Sequence, residues 1–172
     1  NEDIVAHVIM ADPFCTNLSK ILSDIGEKHI PSGRQLHRKG TYLAMEGPAF
    51  STRAESNLYR QWGCSIIGMT NHTEARLARE AEIAYASLSM VTDYDCWNQT
   101  KEEVSVEMVI ENLKINTEVA NKIIFETAKV IDIKRPDSKA HQSLKDGLMT
   151  SKGKASKEAH SKVRILTDKY WC

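Results

Sequence analysis

The chain has 172 residues, of which 41% are hydrophobic and 27% charged, and its 23 Lys and Arg balance 23 Asp and Glu. That length can hold one domain with a real core, and a net charge of zero argues against a nucleic-acid binder that works through a basic surface. No apolar run approaches the roughly 18 residues of a membrane helix, and the opening NEDIVAHVIMADPF has no basic leader, so neither a membrane span nor a signal peptide is expected.

Residues 4–11, IVAHVIMA, are apolar and rich in branched side chains, which predicts a buried strand. Asp12 and Pro13 suit an N-cap and first turn. Leu18, Ile21, Leu22 and Ile25 then recur at helical spacing, and Gly26 is the expected stop. Residues 28–39 read as a loop turning at Pro31-Ser32-Gly33. GTYLAME, residues 40–46, is the next strand, broken by Gly47-Pro48. Thr52 with Glu55 matches a capping box that opens a helix to about Trp62, and Gly63 ends it. CSIIGM, residues 64–69, is a third strand, and a helix from about Thr73 to Glu82 follows. Residues 84–93 form a fourth strand. Beyond a polar loop, Ser105 can cap a long helix whose stripe is Val106, Val109, Ile110, Leu113, Ala120 and Ile124. Residues 1–133 are read as one domain. Residues 134–172 form a Lys-rich tail, expected to be solvated, helical or partly disordered.

Cys15, Cys64, Cys96 and Cys172 lie in no CxxC, and no His pair has zinc-finger spacing. Free thiols in a reduced, cytoplasmic chain are the plain reading, a disulfide staying open, and no metal site is expected. Strands that alternate with helices and are apolar throughout predict an α/β architecture, a layered mixed sheet flanked by helices and buried on both faces. Ligands of such sheets gather beyond the carboxyl ends of strands. The loops GPAFSTR, TNHTE and DYDCW fall there. Asp93 and Asp95, one residue apart in the last of these, are therefore placed where this architecture puts chemistry. Taken alone, paired loop aspartates are more commonly solvated caps or a metal site than catalytic groups.

MEGPAFSTRAES, GMTNHTEARLAREAEIAYASL and TDYDCW, with IMADPFC before them and EEVSVEMVIENL after, resemble the 5′-methylthioadenosine phosphorylases of the trimeric purine nucleoside phosphorylase family. The resemblance runs from Ile4 to about Ala128, and the Lys-rich tail shows none. Family members carry a substantial preceding part with a Gly-rich phosphate loop, an Arg-His phosphate contact and part of the ribose site. No counterpart is found here, so the chain looks like the C-terminal portion of such an enzyme, with the other portion either a companion chain, through nicking or a split gene, or missing.

The resemblance implies phosphorolysis of a nucleoside, with inorganic phosphate as co-substrate and no cofactor, in a homotrimer whose pockets are finished by neighbours. It implies that Asp93 faces purine N7 and Asp95 lies near the 6-amino group. An adenine ring offers an acceptor at N7 and a donor at N6. A protonated carboxyl can donate to the first, and a carboxylate can accept from the second. Two close carboxyls in a dry site cannot both ionise cheaply, so one is expected to keep its proton. Relatives that take 6-oxopurines use an asparagine at this position, so Asp-Tyr-Asp favours 6-aminopurines.

By the same resemblance Thr70 binds phosphate, aided by the helix beginning just after it; as a bare residue it caps that helix. Met69 underlies the ribose, or fills the core. Phe50 stacks on the purine or plugs the fold, and Ser51 beside it faces the base edge. Tyr94 is counted among the substrate-binding residues, although with Trp97 it is expected to pack beneath the loop. Val106 and Val109 line the pocket of the 5′ substituent, where an apolar wall suits a methylthio group; most of that stripe serves the helix core. Gly68, where relatives often have Asn, and His72 are departures, and Gly68 puts one base contact in doubt. A nucleoside phosphorylase of other specificity and a non-catalytic remnant are the competing readings.

Overall fold

In the computed structural model, residues 4–98 and 105–171 are described. They divide into two compact units, one of Ser19–Asn71 and Ser87–Arg135, the other of Asn1–Leu18, His72–Ala86 and Pro136–Cys172.

In the first unit, strand β1 (Tyr42–Ala44) and strand β2 (Ile66–Gly68) form a two-stranded parallel sheet, with Tyr42 opposite Ile66 and Ala44 opposite Gly68. Parallel neighbours need a crossover, and helix α2 (Arg53–Gln61) supplies it. The expected capping box is present: Thr52 Oγ1 accepts from the Glu55 N–H at 3.3 Å and the Glu55 carboxylate accepts from the Thr52 N–H at 2.7 Å. Gly63 then takes φ 79°, the left-handed conformation that glycine adopts without a Cβ penalty, and turns the chain into β2. Because both strands run the same way, their carboxyl ends, and the segments GPAFSTR and Met69-Thr70 beyond them, emerge at the same end.

Helix α1 (Thr16–His29) begins later and ends later than Asp12 and Gly26 suggest. The Cys15 N–H donates to the Tyr85 carbonyl at 2.7 Å, so the chain there bonds to an extended segment and not to its own next turn. Gly26 lies inside the helix. A Cβ on it would stand 3.2 Å from the Leu36 methyls, so the residue permits close packing and does not terminate anything.

The long helix, α4 (Val106–Lys134), starts where Ser105 Oγ accepts from the Met108 N–H at 3.2 Å, as expected of its cap. Its buried face differs from the expected stripe. Ala120, Ile123 and Thr127 are buried, whereas Val106, Ile110, Leu113 and Ile124 are exposed. The face continues toward the N-terminus through Asn116, Asn112 and Val109, each half-buried. A hydropathy pattern does not register asparagines that face inward because they have backbone partners.

The second unit contains helix α3 (His72–Glu80) and helix α5 (Lys157–Thr167), with 3₁₀ turns at Lys139–Gln142 and Lys152–Lys154. The Lys-rich tail is thus folded, and Ala140, Leu144, Thr167 and Trp171 are buried. Glu82, buried at φ 58°, organises it. Its carboxylate accepts from the Leu144 N–H at 3.0 Å and the Tyr170 hydroxyl at 2.6 Å, and it pairs with Lys169. The Arg79 guanidinium, also buried, donates to the carbonyls of Ile9 and Asp12.

The α/β class stands, but the sheet among the described residues is narrower than expected and only half-buried. Residues 4–11 carry one antiparallel bridge, Ala6 to Leu148, and residues 84–93 join no ladder among the described residues. A strand exists only where a second backbone accepts and donates its hydrogen bonds. Both segments have strand composition; their backbone bonds, His7 to Gly147, Met149 to Val5 and Cys15 to Tyr85, are too few to extend into a ladder among the described residues. Cys15, Cys64 and Cys96 are free thiols; Cys172 lies outside the described residues.

Candidate functional site

Every residue singled out from the sequence as a site candidate (Phe50, Ser51, Met69, Thr70, Asp93, Tyr94, Asp95, Val106 and Val109) belongs to the first unit. The loop holding the aspartates is bonded to the segment after β1. Arg53 Nη1 donates to the Cys96 carbonyl at 2.6 Å, and Cys96 Sγ lies 3.6 Å from the Ser51 carbonyl. Ser56 Oγ donates to Asp95 Oδ2 at 2.5 Å, and the Cys96 N–H donates to Asp95 Oδ1 at 2.8 Å. Asp95 is therefore held by both oxygens. Asp93 is exposed, and its Oδ1 accepts from Thr92 Oγ1 at 2.5 Å. The dry surroundings that a proton-holding carboxyl needs are not built around it by the described residues.

α4 fixes the same loop from the other side of its chain. Asn112 Nδ2 donates to the Thr92 carbonyl and Asn116 Nδ2 to the Val91 carbonyl, both at 2.8 Å. Arg34 Nη1 donates to Asn112 Oδ1 at 2.8 Å, which orients the amide so that its NH₂ faces Thr92. None of Arg34, Ser56, Asn112 or Asn116 was picked out from the sequence. The available signal was the pair of asparagines four apart on the inward face of a long helix, a costly arrangement unless each amide has a partner.

Beyond β2, Met69 packs on the segment after β1: a Cβ built on Gly47 would come 2.8 Å from Met69 Sδ. Gly47 itself sits at φ 75°. Thr70 Oγ1 is 3.3 Å from Tyr42 Oη. That hydroxyl explains the departure at Gly68, since a Cβ there would fall 2.0 Å from Tyr42 Oη. Tyr42 and Gly68 are a matched pair, and an asparagine at 68 would need the Tyr42 side chain to swing away or a smaller residue at 42. Ser51 Oγ donates to Met45 Sδ at 3.5 Å. Tyr94 meets Trp97 edge to face at 5.9 Å between ring centroids, and the Arg60 guanidinium lies 3.6 Å over the Trp97 ring. Phe50 is 87% exposed and Val106 70%, so neither ring nor side chain is covered by the fold. Val109 is half-buried, one turn before Asn112 on the same face. The structure thus ties together the segments bearing Ser51, Met69, Thr70, Asp93 and Asp95, and leaves Phe50 and Val106 presented to solvent. Among the described residues there is no group of three or more His, Cys, Asp or Glu that could hold a metal ion.

In this α/β body a threonine stands past β2, and a loop with two carboxylates is bonded to the segment past β1, so these polar groups gather where layered α/β folds place ligands. The family model of the Phosphorylase superfamily matches residues 1–129, and the chain belongs to that superfamily. The S-methyl-5′-thioadenosine phosphorylase of Prochlorococcus marinus is 63% identical over 167 residues, which is 97% of this chain and 53% of that protein. Among solved structures, a methylthioadenosine phosphorylase sourced from an antarctic soil metagenomic library superposes with a TM-score of 0.89 at 43% identity, over 96% of this chain and 58% of that one. The methylthioadenosine phosphorylase of Schistosoma mansoni in complex with adenine has a TM-score of 0.71 at 30% identity, over 85% of this chain and 57% of that one. The chain therefore spans little more than half the length of these relatives. Coverage of 97% takes the likeness into the Lys-rich region, which corrects the expectation that the tail shows none.

Proposed function

We propose that the protein carrying this chain catalyses the reversible phosphorolysis of 5′-methylthioadenosine to adenine and 5-methylthioribose 1-phosphate, a step of purine and methionine salvage. The supporting observation is the tie of the Asp93-Tyr94-Asp95 loop to the segment after β1 and to α4, at the carboxyl end of parallel strands. The names of the relatives at up to 63% identity support it as well.

In this reading a phosphate oxygen bonds to C1′ as the C1′–N9 bond breaks, and the electron pair of that bond passes into the purine. Asp93 gives a proton to N7 and so relieves the growing charge. Asp95 accepts from the 6-amino group. Thr70 holds phosphate through its hydroxyl. Met69 lies beneath the ribose, Phe50 stacks on the base with Ser51 and Tyr94 beside it, and Val106 and Val109 meet the methylthio group. The exposure of Asp93, Phe50 and Val106 is in keeping with a pocket finished by the rest of the fold, as a companion portion, and by neighbours in a homotrimer. No cofactor takes part, and the enzyme works in the cytoplasm. Among the described residues no helix is long and apolar enough to cross a membrane.

The test is phosphate-dependent base release by the complete protein from 5′-methylthioadenosine, adenosine and inosine. The expected order places methylthioadenosine first, ahead of adenosine by roughly 10- to 200-fold, since an apolar wall discriminates only modestly. Preference for inosine, or no phosphate-dependent release at all, would overturn the reading.

A further inference from the structure

We propose that Ser56 sets the preference for 6-aminopurines, by closing one oxygen of Asp95 so that this carboxyl group offers only acceptors to a base. The inference rests on the functional reading above and deepens it. Ser56 lies in the first turn of α2 and is 1% exposed, so its hydroxyl is not a solvated cap. It stands 2.5 Å from Asp95 Oδ2, while the Cys96 N–H donates to Oδ1 at 2.8 Å.

The Cys96 N–H only donates, so it engages Oδ1 as an acceptor and favours Oδ2 as the place of any proton on Asp95. A hydroxyl both donates and accepts, and this lets it serve Asp95 in either ionisation state. With Asp95 ionised, Ser56 donates to Oδ2, and the remaining lone pairs of both oxygens accept. With Asp95 neutral, the proton lies on Oδ2 in the short bond to Ser56, whose oxygen accepts it. In neither state does a proton on Asp95 point outward. A 6-amino group donates and finds an acceptor. A 6-oxo group would set two acceptors face to face, each without its hydrogen bond in a closed site. Removing the hydroxyl releases Oδ2 to carry a proton toward a 6-oxo group, so discrimination drops. Ser56 acts through Asp95 and does not touch the base, which makes it a positioning residue.

The experiment measures kcat/KM of the complete protein for adenosine and inosine in the wild type, Ser56→Ala and Ser56→Thr, with a melt of each. The expected result is a fall of about tenfold or more in the adenosine-to-inosine ratio for Ser56→Ala. Ser56→Thr, which restores the hydroxyl, keeps the ratio even where its added methyl lowers Tm. If Ser56→Ala melts below the assay temperature, Ser56→Cys replaces it, being close in size and a weak donor, and the same ratio is read. Equal loss on both substrates, or an unchanged ratio, would overturn the proposal while leaving the functional reading intact. A wild type that prefers inosine or releases no base removes the functional reading and this inference together.

Discussion

The side-chain amide of Asn112 donates to the backbone carbonyl of Thr92 at 2.8 Å, immediately before Asp93, and is itself oriented by Arg34. A helix thereby sets the position of a loop residue through a backbone group. Asn112→Asp removes the donor and keeps the shape. Its expected effect is a loss of about tenfold in kcat/KM for adenine release, because small displacements of a reacting group cost rate steeply. Unfolding free energy should fall by about 1 kcal/mol. Steady-state kinetics with a denaturant titration measures both, and unchanged kinetics would free Asp93 from this tie.

Thr70 stands at the end of β2, 3.3 Å from the Tyr42 hydroxyl. Thr70→Val keeps the shape and removes the hydroxyl. The apparent KM for phosphate is expected to rise about tenfold with a smaller effect on the nucleoside. Initial rates across a phosphate series give the answer, and an unchanged phosphate dependence would take Thr70 out of the site.

Tyr42 and Gly68 should behave as a coupled pair. Gly68→Asn alone drives a Cβ into a hydroxyl 2.0 Å away and is expected to cost about 1–3 kcal/mol. Adding Tyr42→Val should return most of that loss, a non-additivity that a double-mutant cycle in denaturant measures directly.

Glu82 gives a pH dependence whose sign is set by its contacts. Burial alone would push its carboxyl up, but Lys169, Tyr170 and the Leu144 N–H outweigh burial and hold it below the ordinary 4.5. A folded-state value below the unfolded one means the stabilisation is complete above the unfolded value and drains away as pH falls through the folded one. The wild type should therefore melt higher than Glu82→Gln near neutral pH, and the gap should close in the acid range. Melting both proteins from neutral pH into the acid range checks the direction, and a gap that widens toward low pH would contradict it.

How far the fold could be read from the residues depended on whether its determinants were local. The Thr52-Glu55 capping box, the Ser105 cap, Gly63 and the cores of both strands are set within a few residues, and they appear where expected. The start of α1 was misplaced because the Cys15 N–H is claimed by Tyr85, seventy positions on. Residues 84–93 look like a strand, but strand composition does not by itself bring a neighbouring strand into register. The aspartates and the threonine of the candidate site were legible from their motifs. The residues that hold them, Ser56, Asn112, Asn116 and Arg34, were not. A polar side chain reads as solvated until a backbone group brought near by the fold is found beside it.

In the proposed reaction Asp93 hands a proton to the departing purine. Phosphate-dependent adenine release by the complete protein, compared between wild type and Asp93→Asn at matched Tm, tests it most directly. The expected result is a loss of more than about tenfold in kcat with 5′-methylthioadenosine, since a general acid contributes about 100-fold or more. Near-normal turnover by a folded Asp93→Asn protein would contradict it.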